Sequence, residues 1–190
     1  SSDLVSVWRG VMEIIDNRAI KLVLRNPDNV TSVIPKSAVL KKHEGYSEVL
    51  VHWGHDECMV LKNLGIKNIP SPIEGRYGWP GIYTPMKHQI STASFLSLYR
   101  KAYCFNEQGL GKTTSVLWAA DYLMSIGKVK RVLIICPVSI MKSAWCSDAF
   151  KSIMHRRIDI AYGPPTKRKA IIAGGAEFIV INYDGVEIVR

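Results

Sequence analysis

Two hydrophobic rhythms divide the chain, and the change between them falls near residue 83. Over residues 4–53, short apolar or β-branched runs alternate with turn signals. Ile20–Leu24 is closed by Arg25-Asn26-Pro27-Asp28-Asn29, Val33-Ile34 runs into Pro35, and Val49–Trp53 stops at Gly54. Runs of this length between such breakers predict strands. Asp56 offers an N-cap to a short helix with Val60, Leu61 and Leu64 on one face and Gly65 as its stop. Residues 66–82 contain Pro70, Pro72, Gly75, Gly78, Pro80 and Gly81, and so many breakers predict a linker. The expected division is a small β-rich accessory domain over residues 1–70, a linker over 71–82 and an α/β part over 83–190.

From Tyr83 onward, helical and strand patterns alternate. Thr84 is an N-cap residue followed by proline at the first helical position, which predicts a helix from Pro85 to about Tyr99. Ala102–Phe105 reads as a short buried strand. Val116, Ala119, Ala120 and Leu123 share one face of a helix that Gly127 terminates. Val132–Cys136 is the next strand, and Ser139 is placed to cap a helix whose apolar side holds Cys146, Ala149, Phe150 and Ile153. Ile158–Ala161 and Phe178–Ile181 are further strands, with a Lys-rich helical stretch between them. Alternation of this kind predicts a parallel sheet wrapped by helices.

Charge sharpens the division. The 190 residues carry a net charge of +9. Residues 1–75 hold nine Lys/Arg against nine Asp/Glu, whereas residues 76–190 hold sixteen against seven, so the second part carries all of the excess. A polyanion partner suits that part, whether nucleotide phosphates or a nucleic-acid backbone; a solubilising surface is the plainer reading of the same charge. The apolar runs fall far short of the roughly 20 residues that span a bilayer, so no membrane segment is expected. Ser1-Ser2-Asp3 has neither a starting Met nor a secretory pattern and reads as a processed or trimmed end. Cys58, Cys104, Cys136 and Cys146 form no Cys-x-x-Cys pair, which favours reduced thiols in a reducing, intracellular compartment. His52 and His55 lie close together without a third ligand type beside them.

The candidate chemistry lies in Asn106-Glu107-Gln108-Gly109-Leu110-Gly111-Lys112-Thr113, between a predicted strand and a predicted helix. A phosphate-binding loop requires that context. Gly109 and Gly111 allow backbone conformations that turn N–H groups toward phosphate oxygens, and the helix starting near Lys112 adds its positive end. Lys112 is placed to reach the β- and γ-phosphates, and the Thr113 hydroxyl to ligate Mg²⁺. Asparagine at 106 replaces the first glycine of the strict pattern. A dinucleotide-binding loop fits less well, because a lysine and a hydroxyl follow the second glycine.

Glu107-Gln108-Gly109-Leu110-Gly111-Lys112-Thr113 resembles the nucleotide loop of the Swi/Snf-type ATPases, a branch of the superfamily-two helicases in which asparagine or aspartate commonly replaces the first glycine. Pro85-Met86-Lys87-His88-Gln89 looks like that family's adenine-reading Q motif. Leu133-Ile134-Ile135-Cys136-Pro137-Val138-Ser139 with Trp145 is similar to its motif Ia. Tyr162-Gly163 with Lys167-Arg168, then Val180-Ile181-Asn182-Tyr183, follow in the family's order, and Asn182-Tyr183-Asp184-Gly185 resembles some phage-encoded relatives.

The resemblance covers residues 83–190 and implies a partial phosphate-loop (RecA-like) lobe of a DNA-dependent helicase or translocase using ATP and Mg²⁺. Its implied ATP-binding residues are Gln89, Glu107, Gln108, Gly109, Leu110, Gly111, Lys112, Thr113 and Thr114, with Lys112 and Thr113 in the catalytic roles. Implied nucleic-acid contacts, DNA first, are Pro137, Ser139, Lys142 and Tyr183. The acidic Walker B box and the second motor lobe with its arginine finger are expected beyond residue 190, so this stretch alone is expected to bind nucleotide poorly and to be inactive. The implied location is cytoplasm or nucleoid, or a host's cytoplasm for a phage-encoded chain.

Other readings remain open. The loop also suits another phosphate-loop NTPase or a small-molecule kinase, or a non-catalytic nucleic-acid-binding module that keeps it as a turn. Lys167-Arg168-Lys169, and Lys151 with His155-Arg156-Arg157, are candidate phosphate-backbone contacts or ordinary surface charge. Tyr77, Trp79 and Tyr83 are candidates to stack on adenine or to pack internally.

Overall fold

The computed structural model describes residues 12–189, so the expected alternation over residues 4–11 lies outside the described residues. The chain forms two compact units, the first ending at Tyr77 and the second beginning at Gly78.

The first unit is built on a four-stranded antiparallel sheet of order β1-β2-β4-β3. Its strands are β1 (Glu13–Ile15), β2 (Ala19–Leu24), β3 (Ser37–His43) and β4 (Tyr46–His52). Side chains alternate across a strand. Ile20, Leu22 and Leu24 of β2 therefore share a buried face with Val49 and Val51 of β4, and Ile20 pairs with Val51 and Leu22 with Val49. Val33-Ile34 is not a strand. It follows the helical turn α1 (Asp28–Thr31), to whose Val30 carbonyl the Ile34 N–H donates a hydrogen bond, and only Ile34 is buried. The predicted short helix is α2 (His55–Asn63), with Gly54 rather than Asp56 at its N-cap. Gly65 ends it in the left-handed conformation. A further turn, α3 (Ile73–Arg76), buries Ile73, while Trp53 Nε1 donates to the Pro70 carbonyl at 2.9 Å. Burial, more than the neighbouring Glu57, pushes the Cys58 thiol up to about 12, which leaves it an unreactive apolar group.

The second unit has the expected α/β class: a parallel sheet flanked by helices, consistent with a partial RecA-like lobe and preceded by the β-rich unit. Its described sheet has three strands in the order β5-β7-β6, all parallel: β5 (Val132–Ile135), β6 (Ile158–Ala161) and β7 (Phe178–Ile181). All four residues of β7 are buried, as a central strand covered on both faces requires. The helices are α4 (Lys87–Leu98), α5 (Lys112–Ser125), α6 (Val138–Ile140), α7 (Ser147–Ser152) and α8 (Pro165–Ala173), with a π-helical stretch, Met141–Cys146, between α6 and α7. Helix α8 is the crossover from β6 to its neighbour β7, and Ile171 and Ile172 pack onto Ala161, Ile179 and Ile181.

Several expectations for this unit are corrected. Ala102–Phe105 forms neither a strand nor a buried segment: Tyr103 is 83% and Phe105 89% exposed. Helix α4 starts at Lys87 with Met86 as N-cap, because the Gln89 side-chain oxygen accepts from the Met86 N–H at 2.9 Å and Thr84 plays no capping part. Ser139 caps nothing either, since Pro137 precedes the first helical residue, and Phe150 points outward at 74% exposure. The buried stripe runs through Ala149 and Ser152 of α7 and its C-cap Ile153 instead. Ser152 tolerates that position because its hydroxyl donates to the Asp148 carbonyl at 2.6 Å.

One ionic cluster ties α5 to the sheet. Asp121, buried on α5, accepts from Arg156 Nε at 2.6 Å and lies 3.0 Å from His155 Nε2. Arg156 continues to Glu177 at 2.5 Å, and the other Glu177 oxygen accepts from the Arg157 N–H at 3.1 Å. Arg156 is thus committed to internal carboxylates rather than offered to a phosphate backbone. Burial opposes the charge on Glu177, but Arg156 and the Arg157 N–H outweigh it and hold the carboxyl below the ordinary glutamate range. With its folded pKa below the unfolded one, Glu177 stabilises the fold fully above the ordinary glutamate value. That contribution is lost as pH falls through the folded pKa. Thermal unfolding followed by circular dichroism should show the midpoint dropping as pH falls below about 4, with a shallower drop in Glu177→Gln.

Candidate functional site: a glycine loop at the start of helix α5

The loop's shape follows from its two glycines. Gly109 has φ +83° and Gly111 φ +69°, both in the region that side chains disfavour. Gly111 is the N-cap of the fourteen-residue helix α5 and supplies no side-chain cap. The first-turn N–H groups of a helix lack intrahelical acceptors, and here they belong to Lys112, Thr113 and Thr114. Residues 107–110 are exposed, Gly111, Lys112 and Thr113 are half-buried, and Thr114 is buried. Nothing lies within 4 Å of where a Cβ on Gly109 would sit.

The Lys112 ammonium folds back over the loop and donates to the carbonyls of Asn106 and Glu107, each at 2.8 Å. A side-chain cation, free N–H groups and the positive end of a helix therefore converge within eight residues. That donor set suits a triphosphate tail, and the Thr113 hydroxyl adds an oxygen of the kind magnesium takes.

Helix α4 braces this loop. Gln89 comes from the first turn of α4, and its side-chain nitrogen is packed against Gly111 so closely that a Cβ there would collide with it. His88 and Thr92, which the sequence did not single out, also reach the loop: His88 Nε2 lies 3.1 Å from the Leu110 carbonyl, and Asn106 Nδ2 donates to Thr92 Oγ1 at 2.8 Å. Their signal was faint, a pair of polar residues one helical turn apart beside Gln89. Trp79 stacks edge-on against the buried Trp118, with ring centroids 5.5 Å apart, and is spent on packing.

The other candidates lie at the carboxyl ends of the strands. Ile135 pairs with Ile181 and Ala161 with Ile181, so Pro137, Tyr162 and Tyr183 leave the sheet from the same edge. Open α/β sheets bind ligands outside that edge. Pro137, Ser139 and Lys142 are exposed, Tyr183 is 63% exposed, and Lys142 sits in the π-helical stretch. Beside them the Arg168 guanidinium lies 5.6 Å over the Tyr162 ring, and its Nε donates to the Gly163 carbonyl at 2.7 Å. Among the described residues, no group of three or more His, Cys, Asp or Glu side chains could hold a metal ion, and no helix is long and apolar enough to cross a membrane.

Among solved structures, the chain is similar to the Sulfolobus solfataricus SWI2/SNF2 ATPase core in complex with dsDNA, at a TM-score of 0.49 and 22% sequence identity. The likeness covers 56% of this chain and 23% of that one, so the chain spans under a quarter of that structure's length. No protein-family description and no curated protein matches the chain.

Proposed function

We propose that the second unit is the ATP-binding part of the first motor lobe of a DNA-dependent ATPase of the Swi/Snf type, a helicase or translocase that couples ATP hydrolysis to movement on DNA. The observation that carries this reading is the convergence of the Lys112 ammonium, two left-handed glycines and the bare start of α5 on one exposed loop. Adenine recognition is assigned to Gln89, and the phosphate grip to the loop from Glu107 to Thr114.

Magnesium-bound ATP supplies the phosphoryl group whose transfer to water drives the motor. The chain's own contribution is to bind and orient it. Lys112 offsets phosphate charge, backbone N–H groups at 109–113 fix the oxygens, and the Thr113 hydroxyl is the proposed magnesium ligand. Pro137, Ser139, Lys142 and Tyr183 are the proposed DNA contacts, supported by the common sheet edge from which Pro137 and Tyr183 emerge and by the exposure of all four. The charge excess of residues 76–190 favours a polyanionic track. The β-rich residues 1–70, which fall within the first unit, are read as an accessory module, with residues 71–82 as the stretch that leads to the lobe. An Asn-Tyr-Asp-Gly sequence at 182–185 favours a phage-encoded member acting in a host's cytoplasm.

ATP hydrolysis by the protein carrying both motor lobes, measured with and without duplex DNA, tests the proposal. Stimulation by DNA is the expected result. A rate indifferent to any nucleic acid, with turnover of a small phosphoryl acceptor instead, removes it in favour of a kinase.

A further inference from the structure

Helix α4 holds the loop at both ends of its glycine stretch, through residues the proposed function leaves without a task. The Asn106 side-chain nitrogen donates to Thr92 Oγ1 at 2.8 Å, and the same hydroxyl donates to the His88 carbonyl at 2.7 Å. One helical turn earlier, His88 Nε2 meets the Leu110 carbonyl at 3.1 Å, which places the proton on Nε2 because a carbonyl only accepts. The two contacts span residues 106 to 110, and between them lie the Asn106 and Glu107 carbonyls that hold Lys112.

We propose that Thr92 is a positioning residue of the phosphate loop: through the Asn106 carboxamide it fixes the two peptide carbonyls on which Lys112 rests, and so sets where the ammonium stands when a triphosphate arrives. This rests on the reading of the loop as a triphosphate grip. It gives Asn106 a reason that glycine cannot supply, since only a side chain with a donor reaches Thr92. It also states which residues suffice at 92. The hydroxyl must accept and donate at once, so serine preserves the anchor and the isosteric valine removes it. Without the anchor, the Asn106 peptide is free to rotate, Lys112 loses its two-point rest, and the loop must be ordered by the ligand itself.

The test uses the 190-residue chain and magnesium with inorganic tripolyphosphate, ATP and GTP, followed by the amide NMR signals of Gly109 and Gly111. Thr92→Val is expected to weaken all three ligands by the same factor, roughly five- to tenfold, and Thr92→Ser to restore affinity to within about twofold. An equal loss for ATP, GTP and bare tripolyphosphate marks an effect on the phosphate loop rather than on adenine reading. A protein merely loosened by the substitution is distinguished by Asn106→Ala, which should show the same loss, with the double variant no weaker than either single one. Unchanged affinity in Thr92→Val, or losses that add in the double variant, overturns the inference alone. A wild-type chain whose Gly109 and Gly111 signals ignore tripolyphosphate overturns the phosphate-loop reading and this inference with it.

Discussion

Lys112→Ala is expected to weaken binding of magnesium-ATP by roughly a hundredfold, and to abolish DNA-stimulated hydrolysis in the protein carrying both lobes. The ammonium is the only charged side chain hydrogen-bonded within the loop among the described residues, where it rests on two carbonyls at 2.8 Å. Exchanging those neutral carbonyl acceptors for anionic phosphate oxygens turns two ion–dipole hydrogen bonds into ion pairs, and hydrogen bonds to charged groups are worth about 1.5–3 kcal/mol each. Removing the group leaves the phosphate charge opposed only by backbone N–H groups and the helix end. Lys112→Arg should recover little, because a planar fork cannot sit between the Asn106 and Glu107 carbonyls as a compact ammonium does. Fluorescence-detected titration with a labelled ATP analogue measures the first effect, and phosphate release the second.

The largest effect on stability is expected at a residue far from that chemistry. Asp121→Ala should destabilise the second unit by about 3–5 kcal/mol, because it strands the Arg156 guanidinium beside a buried position. Asp121 is 2% exposed and meets both His155 and Arg156, so no water replaces it cheaply. Part of the loss is moderated by Glu177, which keeps its own bond to Arg156. Chemical denaturation followed by tryptophan fluorescence reads this directly, since the buried Trp118 lies on the same helix. The cluster also fixes α5 from its far half, and α5 begins at the loop. A shift confined to stability, with nucleotide affinity kept at temperatures where the variant is folded, is the expected pattern.

Much of this molecule was legible in its sequence, for reasons that differ by segment. The runs Val132–Cys136 and Phe178–Ile181 are short and rich in β-branched residues, and they contain the paired strands β5, which stops one residue earlier at Ile135, and β7. Helix α5 and its stop at Gly127 follow from local rules, and Gly127 has the left-handed φ of +73° that such a stop needs. Its buried face differs from the expected one, because it runs through Leu117, Trp118, Asp121 and Tyr122, while Val116, Ala120 and Leu123 stay half-buried. Ala102–Phe105 failed because a strand is defined by its neighbour. Alternating apolar residues supply propensity, yet no described strand pairs with them, and their side chains stay exposed. Phe150 failed for another reason. The π-helical stretch at Met141–Cys146 precedes a helix of only six residues, and the face turned inward there is set by Ala149, Ser152 and Ile153. A buried serine is invisible to a hydrophobic pattern when its hydroxyl bonds the preceding turn.

The candidate site divides in the same way. Its residues from Gly109 to Thr113 were readable because glycine, lysine and threonine each carry a distinct physical task at fixed spacing. The bracing by His88 and Thr92 was not, since it depends on how α4 lies against the loop rather than on neighbours in the chain. Pro137 and Tyr183 were expected by resemblance, and their common edge follows from the register of β5 against β7, which no local pattern encodes.

A crystal structure of the chain grown with magnesium and a non-hydrolysable ATP analogue probes the central claim most directly. The expected result is a triphosphate enclosed by the backbone N–H groups of residues 109–113, with the Lys112 ammonium drawn off the Asn106 and Glu107 carbonyls onto phosphate oxygens. An analogue bound elsewhere, or a loop left empty at saturating concentration with Lys112 still on those carbonyls, contradicts it.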